Sequence, residues 1–335
     1  MSIKSFQKLI KEIVEYVLAN GDNDYIVIGE NTSGKSALLS CLMERVKKIG
    51  QNKFYFIDSV NRSFHLNNIG DSKEVQEFEY EEICNRRLEK NIFNKIDSFG
   101  TGGIESIYWI HEKKLKELIF DFFEIKIDIS VNLQDDIPVV MPAKLEIEKN
   151  GRSFSEEGYD LSIPNGMQAV IRLFLELLFF RSQLHNEDSH QKPIVFIEEL
   201  DLYLSENYSA QIFEFLKEKF PEFLFIISTH SRDLAISAVN TTVIAIKDLE
   251  MIIVNSGENY QLDVEELFAD IFHTTEMKLR TNDDETDRKI RVLLNKKLNN
   301  NWYEADQNMY DQISKQKLLP HQIYLMDEIK RWKYE

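Results

Sequence analysis

The sequence has few of the features that mark secreted, membrane-spanning or metal-rich proteins. Its 335 residues include only two cysteines, Cys41 and Cys84, which provide neither a disulfide framework nor the spacing of a metal site. The longest apolar stretch, 170–180, is interrupted by Arg172 and Glu176 and is too short to span a bilayer. The first residues alternate apolar and charged side chains, unlike a secretory signal. We therefore expect a cytoplasmic protein without membrane association.

Positive charge is also scarce, since 57 acidic residues outnumber 40 lysines and arginines and give a formal net charge of −17. A surface of that sign opposes nonspecific binding to nucleic acid, which needs clustered basic side chains. Two short basic pairs, Arg86-Arg87 and Lys296-Lys297, are candidates for a local patch, although solvated helix faces are the simpler interpretation. The 43% of hydrophobic residues suffices for one large domain or a domain with an appendage.

One motif carries specific chemical information. Residues 29–36 have the pattern G-x-x-x-x-G-K-[ST] and directly follow an apolar run at 25–28. Glycines at both ends let successive backbone amides turn towards an anion, and the following helix presents the positive end of its dipole. In such loops the lysine reaches the β- and γ-phosphates and the serine hydroxyl ligates Mg²⁺. The predicted triphosphate-binding residues are Gly29, Glu30, Asn31, Thr32, Ser33, Gly34, Lys35, Ser36 and Ala37.

A pair of acids, Glu198 and Glu199, follows a second apolar strand at 194–197. A magnesium ATPase needs such a pair beside its phosphate loop: the first acid holds the metal through water, and the second orients or deprotonates the attacking water. The first acid is usually aspartate, and Glu198 is one methylene longer. Two acids after a strand are weak evidence alone, so this interpretation depends on the phosphate loop.

Two further elements have both a functional and a structural interpretation. His230 follows the apolar strand 223–227, at the position where ligands sit in open α/β sheets, and is either a γ-phosphate sensor or a structural cap. Residues 161–168 open a strongly apolar helix that continues to about 184, with Asn165 as the expected N-cap and Gly166 shaping the helix start. That start is either a capped core helix or a second anion-binding terminus, presented to ATP on another subunit.

The four elements, in this order, resemble the ATP-binding-cassette superfamily, and more narrowly its cytosolic ATPases of the overcoming-lysogenization-defect and structural-maintenance type. The resemblance implies that 29–36 is the Walker A loop and 195–199 the Walker B segment, with Glu199 as catalytic base. It likewise implies that His230 is the switch histidine and that 162–168 is the signature loop used in trans. ATP and Mg²⁺ are the implied cofactors, and a homodimer or higher oligomer closed around ATP is the implied assembly.

The chain departs from that family's pattern in three places. Asn165-Gly166-Met167-Gln168 stands where the family usually has Ser-Gly-Gly-Gln, although asparagine keeps a hydrogen-bonding side chain. The segment 200–205 is similar to a Pro-Glu-x-x-Leu-His-Pro run but lacks its proline and histidine. The family's glutamine-loop residue has no clear counterpart, and Asn61 is its stand-in.

The predicted fold class is α/β: a P-loop NTPase with a mostly parallel sheet, as in an ATP-binding-cassette ATPase head. We expect residues 1–255 to form the ATPase domain, with an α+β insertion at about 60–160 whose strands close on an Asn150-Gly151 hairpin turn. Residues 256–335 are predicted to be an almost wholly helical C-terminal extension.

Two competing motifs have simpler explanations. Asn94-Lys95-Ile96-Asp97 matches the guanine-reading motif of GTPases, but it lies in a charged helical stretch rather than after a buried strand. The acid run 283–287 suggests a metal site, although negative charge in the first turn of a helix complements the helix dipole and is the preferred interpretation.

Three functions are compatible with such an ATPase. The resemblance favours a switch subunit that controls a separately encoded effector, a nuclease or toxin, in antiphage defence, because no strand-borne Glu with an Asp-x-Asp pair follows residue 250. The alternative is a DNA-binding repair or clamp ATPase with nucleic acid as partner, which the net charge disfavours. A transporter energising subunit is a third, disfavoured by the altered signature and the acidic helical tail.

Overall fold

The structure is a computed structural model. It describes residues 3–21, 23–50, 53–69, 78–89, 97–100, 103–130, 144–149, 152–156, 163–184, 192–248, 250–257, 259–272, 282–298, 302–316, 318 and 320–331. Within these ranges no helix is long and apolar enough to cross a bilayer. The chain divides into two compact units, residues 1–45 together with 204–335, and residues 46–203.

Helices and strands alternate along much of the chain. The strands are β1 (Asp24–Gly29), β2 (Phe54–Ile57), β3 (Lys126–Ser130), β4 (Lys144–Lys149), β5 (Arg152–Glu156), β6 (Ile194–Ile197), β7 (Leu224–Ser228), β8 (Thr241–Lys247) and β9 (Glu250–Val254). The helices are α1 (Ile3–Ala19), α2 (Lys35–Ile49), α3 (Tyr80–Leu88), α4 (Tyr108–Phe123), α5 (Asn165–Gln183), α6 (Glu206–Lys219), α7 (Arg232–Ser237), α8 (Tyr260–Ile271), α9 (Asn282–Leu298), α10 (Glu304–Ile313) and α11 (Pro320–Arg331). The predicted α/β class is confirmed.

The first unit is built on four strands in the order β7-β1-β8-β9. β1 runs parallel to both of its neighbours, with Val27 opposite Ser228 on one side and Ile244 on the other. The strands β1, β7 and β8 are almost continuously buried, as their apolar runs predict for strands covered on both faces. Because parallel strands point the same way, the loops that follow β1 and β7 leave the sheet at one edge. β9, which the sequence pattern did not reveal, pairs with β8 in antiparallel.

The helices of the first unit bury apolar stripes. On α1 the buried positions repeat at helical spacing, and they are Leu9, Ile10, Ile13, Val14 and Val17. The C-terminal helices α9, α10 and α11 surround a small apolar cluster made of Ile290, Leu293, Ile313, Met326 and Ile329. The acid run 283–287 lies in the first turns of α9, as the helix-start interpretation predicts.

In the second unit β2 and β6 pair in parallel along their whole length. The strands β3, β4 and β5, all within residues 60–160 where strands were expected, form a separate antiparallel sheet in that order. The helix α5 is buried on nearly all sides, including the charged residues Arg172 and Glu176. Several predicted features lie outside the described residues: 90–96, Asn150-Gly151 and Ser162.

Glu176 lies at the centre of a buried network of charges. Its carboxylate accepts hydrogen bonds from Arg87 at 2.7 and 3.0 Å, from Arg172 at 3.0 Å and from the Tyr55 hydroxyl at 3.1 Å. Arg172 also donates to both carboxylate oxygens of Asp97, at 2.5 and 3.1 Å. Charges can be buried at acceptable cost only when they are paired and hydrogen-bonded, so this network fixes α3, α5 and β2 relative to one another.

The network includes residues from two motifs singled out in the sequence, the basic pair Arg86-Arg87 and the GTPase-like motif that ends at Asp97. Arg87 is only 2% exposed, so the expected solvated face or basic patch at Arg86-Arg87 is wrong for Arg87. Asp97, the last residue of the GTPase-like motif, is bound by Arg172 and has a structural role instead. On α9 the second basic pair is also engaged: Lys296 contacts Asp306 at 2.7 Å, and the Lys297 ammonium lies over the Trp302 ring.

Ionisation of Asp97 is favoured by its contact with Arg172. Burial opposes ionisation of Asp97, but the hydrogen bonds and charge of Arg172 outweigh it and lower the pKa of Asp97 below its ordinary value of 3.8. A carboxyl group whose pKa is lowered by folding stabilises the folded state fully above its unfolded pKa. That stabilisation is lost as the pH falls through the folded pKa, so acid below pH 3.8 weakens the network.

Replacing the central carboxylate tests the network. We expect Glu176→Gln to lower the free energy of unfolding by about 3–5 kcal/mol, because Arg87 and Arg172 then lose their shared counter-charge in the interior. Urea unfolding measures the loss. Glu117→Gln is the matched control, since the Glu117 pair with Lys114 is exposed at 47% and 66% and should leave the midpoint unchanged. Equal midpoints for the two variants would contradict a stabilising role for Glu176.

Candidate functional site

The loop between β1 and α2 has the backbone conformation of a phosphate-binding loop. Thr32 and Gly34 have φ values of +68° and +107°, the left-handed half of backbone space that turns successive amides to one side. A Cβ on Gly29 would come within 2.9 Å of the Ile246 carbonyl oxygen, so the strand end has no room for a side chain. Glu30, Asn31 and Thr32 are exposed, and α2 begins at Lys35. The loop therefore combines three solvent-exposed residues with a helix N-terminus.

Lys35 is held inside this loop. Its Nζ donates to the carbonyl oxygens of Gly29 at 2.8 Å and Glu30 at 3.1 Å, and the residue is only 8% exposed. The ring of Phe6 on α1 lies directly against Gly34, at the place where a side chain would project from this residue. Phe6 stands in no recognisable motif, and nothing in the sequence links it to the loop.

The donor set of the loop fits a nucleoside triphosphate with its metal. The Ser33 hydroxyl oxygen is buried and has no hydrogen-bond partner among the described residues, and a phosphate oxygen would supply one. Ser36 is exposed in the first turn of α2, next to the buried ammonium of Lys35. Within the described residues no three His, Cys, Asp or Glu side chains gather as a metal site.

His230 lies at the same edge of the sheet as the phosphate loop. His230 follows β7. The amide of the preceding residue, Thr229, donates to the Val27 carbonyl of β1 at 3.2 Å. The cap of α7 is Ser231, whose hydroxyl accepts a backbone hydrogen bond at 3.2 Å, so the helix start does not use His230 as its cap. The imidazole packs 6.0 Å from the ring of Phe272.

The two acids after β6 belong to the second unit and differ in environment. Glu198 is 7% exposed, and its carboxylate accepts a hydrogen bond from the Ser59 hydroxyl at 3.1 Å. Its carbonyl oxygen accepts from the buried guanidinium of Arg62 at 2.6 Å. Glu199 is half-buried and has φ of +51°, a left-handed conformation that is uncommon for a residue with a side chain. Neither Ser59 nor Arg62 was expected from the sequence, because neither residue stands in a recognisable motif.

Asn61, the stand-in for the glutamine-loop residue, faces a different partner. Its backbone and side-chain amides both donate to Asp58, each at 2.8 Å. The hydrogen bonds from Asn61 and the charge of Arg87 outweigh burial and lower the pKa of Asp58 below its ordinary value. Asn61 therefore shapes the turn after β2, and the nearby Ser59 is the residue that contacts Glu198.

The start of α5 differs by one residue from the prediction. Pro164 occupies the N-cap position and Asn165 is the first helical residue, so the expectation that Asn165 is the N-cap is wrong. Proline has no N–H to leave unsatisfied, which suits it to a helix start. Asn165 is exposed and Gly166 half-buried, while Gln168 turns inward and accepts from the Phe64 amide at 3.4 Å. Among the described residues no side chain caps this helix start.

Comparisons with known proteins give matches in fold only. No protein-family model matches the sequence, and neither does any curated protein. Among solved structures, the SMC head domain from Thermotoga maritima is 16% identical with a TM-score of 0.36, covering 70% of this chain and 91% of that one. An ATP-binding cassette in a post-hydrolysis dimer bound to ADP and Pi is 15% identical with a TM-score of 0.30, covering 70% and 85%. Similarity at this level assigns no activity to this chain.

Substitution at Gly34 tests whether the loop binds nucleotide. Gly34→Ala should abolish binding of a fluorescent ATP analogue, because the added methyl group overlaps the Phe6 ring and the φ of +107° is strained for alanine. Gly50→Ala is the matched control, since Gly50 also has a positive φ, +67°, but no atom within 4 Å of the added methyl group. Nucleotide binding by the Gly34 variant at the level of the control would contradict the assignment of the loop.

Proposed function

We propose that this chain is an ATP-binding and ATP-hydrolysing switch of the ATP-binding-cassette type. The observation that carries the proposal is the loop between β1 and α2, where a buried lysine and two positive-φ positions meet a helix N-terminus. Those are the requirements for cradling the phosphates of a nucleoside triphosphate. The position of His230 at the same sheet edge supports a role for it as sensor of the γ-phosphate.

In the proposed chemistry each residue has one task. Lys35 offsets phosphate charge, and Ser36 and Glu198 are the chain's candidates for holding Mg²⁺. When bound, Mg²⁺ neutralises the charge that builds up on the transferred phosphoryl group. Glu199 accepts the proton of the attacking water. The left-handed backbone of Glu199 supports this role, because conformational strain of about 1–3 kcal/mol is retained mainly where function requires a fixed side-chain direction.

The start of α5 supports a homodimer closed around ATP. Its N-terminus, with Asn165 and Gly166, combines first-turn backbone amides with the positive end of a 19-residue helix. Both are suited to the γ-phosphate of a nucleotide held by a second copy of the chain. A ligand that contacts both copies stabilises the closed state by its differential contacts, so hydrolysis would reopen the dimer.

The finer part of the proposal concerns the output. The dimer would hold a separately encoded effector, a nuclease or toxin, and release it on hydrolysis, as part of cytoplasmic antiphage defence. The C-terminal helices α9, α10 and α11 support this part, because they pack around their own apolar cluster and leave large side chains exposed, Tyr303 at 61% and Ile323 at 50%. Exposed aromatic and aliphatic side chains are suited to binding a protein partner.

Removing the carboxylate of Glu199 should separate binding from hydrolysis. We expect Glu199→Gln to reduce the rate of ATP hydrolysis by about 10²–10⁴-fold, the contribution of a general base, with little change in nucleotide affinity. Phosphate release and binding of a fluorescent ATP analogue measure the two quantities. Lys35→Ala is the contrasting variant and should lose binding itself. Hydrolysis by the Glu199 variant at the unaltered rate would contradict the role of Glu199.

The slowly hydrolysing variant also tests the dimer. Light scattering should give twice the monomer mass for Glu199→Gln with ATP and Mg²⁺, and the monomer mass without ATP. Adding Asn165→Asp should prevent dimerisation, because it places a negative charge against the phosphates. Asn207→Asp, also exposed in the first turn of a helix, is the matched control and should leave the dimer intact.

The same trapped dimer, recovered from its native host, reports on the effector by mass spectrometry. A co-purifying nuclease or toxin is the expected result. Recovery of DNA or of a membrane permease would contradict the effector part of the proposal while leaving the ATPase part in place.

A further inference from the structure

The loop after β2 reaches the candidate metal-binding acid of the second unit. β2 and β6 are parallel and in register, with Ile57 opposite Ile197, so both strands end at the same edge. The Glu198 amide continues this pairing by donating to the Ile57 carbonyl at 3.0 Å. Residues 58–64, which we call the post-β2 loop, therefore begin beside the Glu198 side chain.

Two residues of the post-β2 loop hold Glu198. The Ser59 hydroxyl donates to Oε2 of the carboxylate at 3.1 Å, and Arg62 Nη2 donates to the backbone carbonyl at 2.6 Å. Arg62 is 3% exposed, so its hydrogen bond is made in the interior of the second unit. The carboxylate and the backbone of Glu198 are thus fixed by the same short segment.

The post-β2 loop is itself anchored at both ends. Asp58 accepts two hydrogen bonds from Asn61 at its beginning, each 2.8 Å long. At its end the Ser63 carbonyl accepts from Arg172 at 3.2 Å. The Ser59 hydroxyl is therefore presented from an ordered turn rather than from an unsupported loop.

We propose that Ser59 is the positioning residue for the Mg²⁺-binding carboxylate of Glu198, an inference that rests on the metal role given to Glu198 above. Glutamate has one more rotatable bond than the aspartate that is usual at this position and loses more rotamer freedom when it is fixed. The Ser59 hydrogen bond restricts that freedom and occupies Oε2. The carboxylate would then meet bound Mg²⁺ or its water ligands in one orientation. Hydrogen bonds of this kind to metal-binding groups typically raise metal affinity 10–100-fold.

Two variants of nearly equal shape test this proposal on the full-length protein. Ser59→Thr keeps the hydroxyl, and Ser59→Val replaces it by a methyl group. We expect the Mg²⁺ concentration for half-maximal binding of a fluorescent ATP analogue to rise about 10-fold in Ser59→Val and to stay near the unaltered value in Ser59→Thr. Mn²⁺ binding in the presence of ATP, measured by electron paramagnetic resonance, should weaken in parallel. Metal-free nucleotide affinity should not change in either variant.

Two further variants separate the possible outcomes. Ser182→Val controls for loss of a hydroxyl elsewhere in the second unit, where Ser182 donates to the Phe179 carbonyl at 2.7 Å, and it should not alter the Mg²⁺ requirement. If Glu198→Gln raises the Mg²⁺ requirement but Ser59→Val does not, the role of Ser59 is overturned and the proposed function stands. If Glu198→Gln also leaves it unchanged, the metal role of Glu198 fails and the inference falls with it.

Discussion

One buried carboxylate, that of Glu176, is the interaction on which the second unit depends. It accepts hydrogen bonds from Arg87, Arg172 and Tyr55, groups that come from α3, from α5 itself and from β2. Two guanidinium groups in an apolar interior are tolerable only with a counter-charge between them. The amphipathic pattern of α5 is secondary to this requirement, since nearly all of the helix is buried and its orientation is set by where its charges find partners.

The same network extends to the acid pair after β6. Arg172 contacts the Ser63 carbonyl as well as Asp97, and Arg62 of the same loop contacts the Glu198 carbonyl. A charge balance that stabilises the fold is therefore physically continuous with the backbone of a candidate catalytic segment. In such an arrangement a change at the centre of the network affects the site through position rather than through direct contact.

The sequence predicted the order of elements well because that order depends on local pattern, and the phosphate-binding role of the loop after β1 stays a prediction. Unbroken apolar runs identify β1 and β7, and the loop needs glycine at defined positions whatever the rest of the chain does. The environment of Glu198 was not predictable, because Ser59 meets it only through the register of β2 with β6. Arg87 was placed on the surface because a charged residue on a charged helix gives no sign of a partner 89 positions away.

The position of Asn165 shows the limit of such predictions at element ends. Asparagine is a common N-cap, and the sequence alone does not distinguish it from the first helical residue when proline precedes it. The roles of the site residues stay predictions. The fold class is established by the strands themselves.

The left-handed backbone of Glu199 restricts which residues can replace it during evolution. A lineage that loses the carboxylate no longer needs the side chain but still has to maintain the turn, and glycine or asparagine accommodates a φ of +51° more readily than alanine or glutamine. Inactive descendants should therefore accumulate glycine and asparagine here. Homologues with glycine or asparagine at this position would then have kept the turn after losing the catalytic carboxylate.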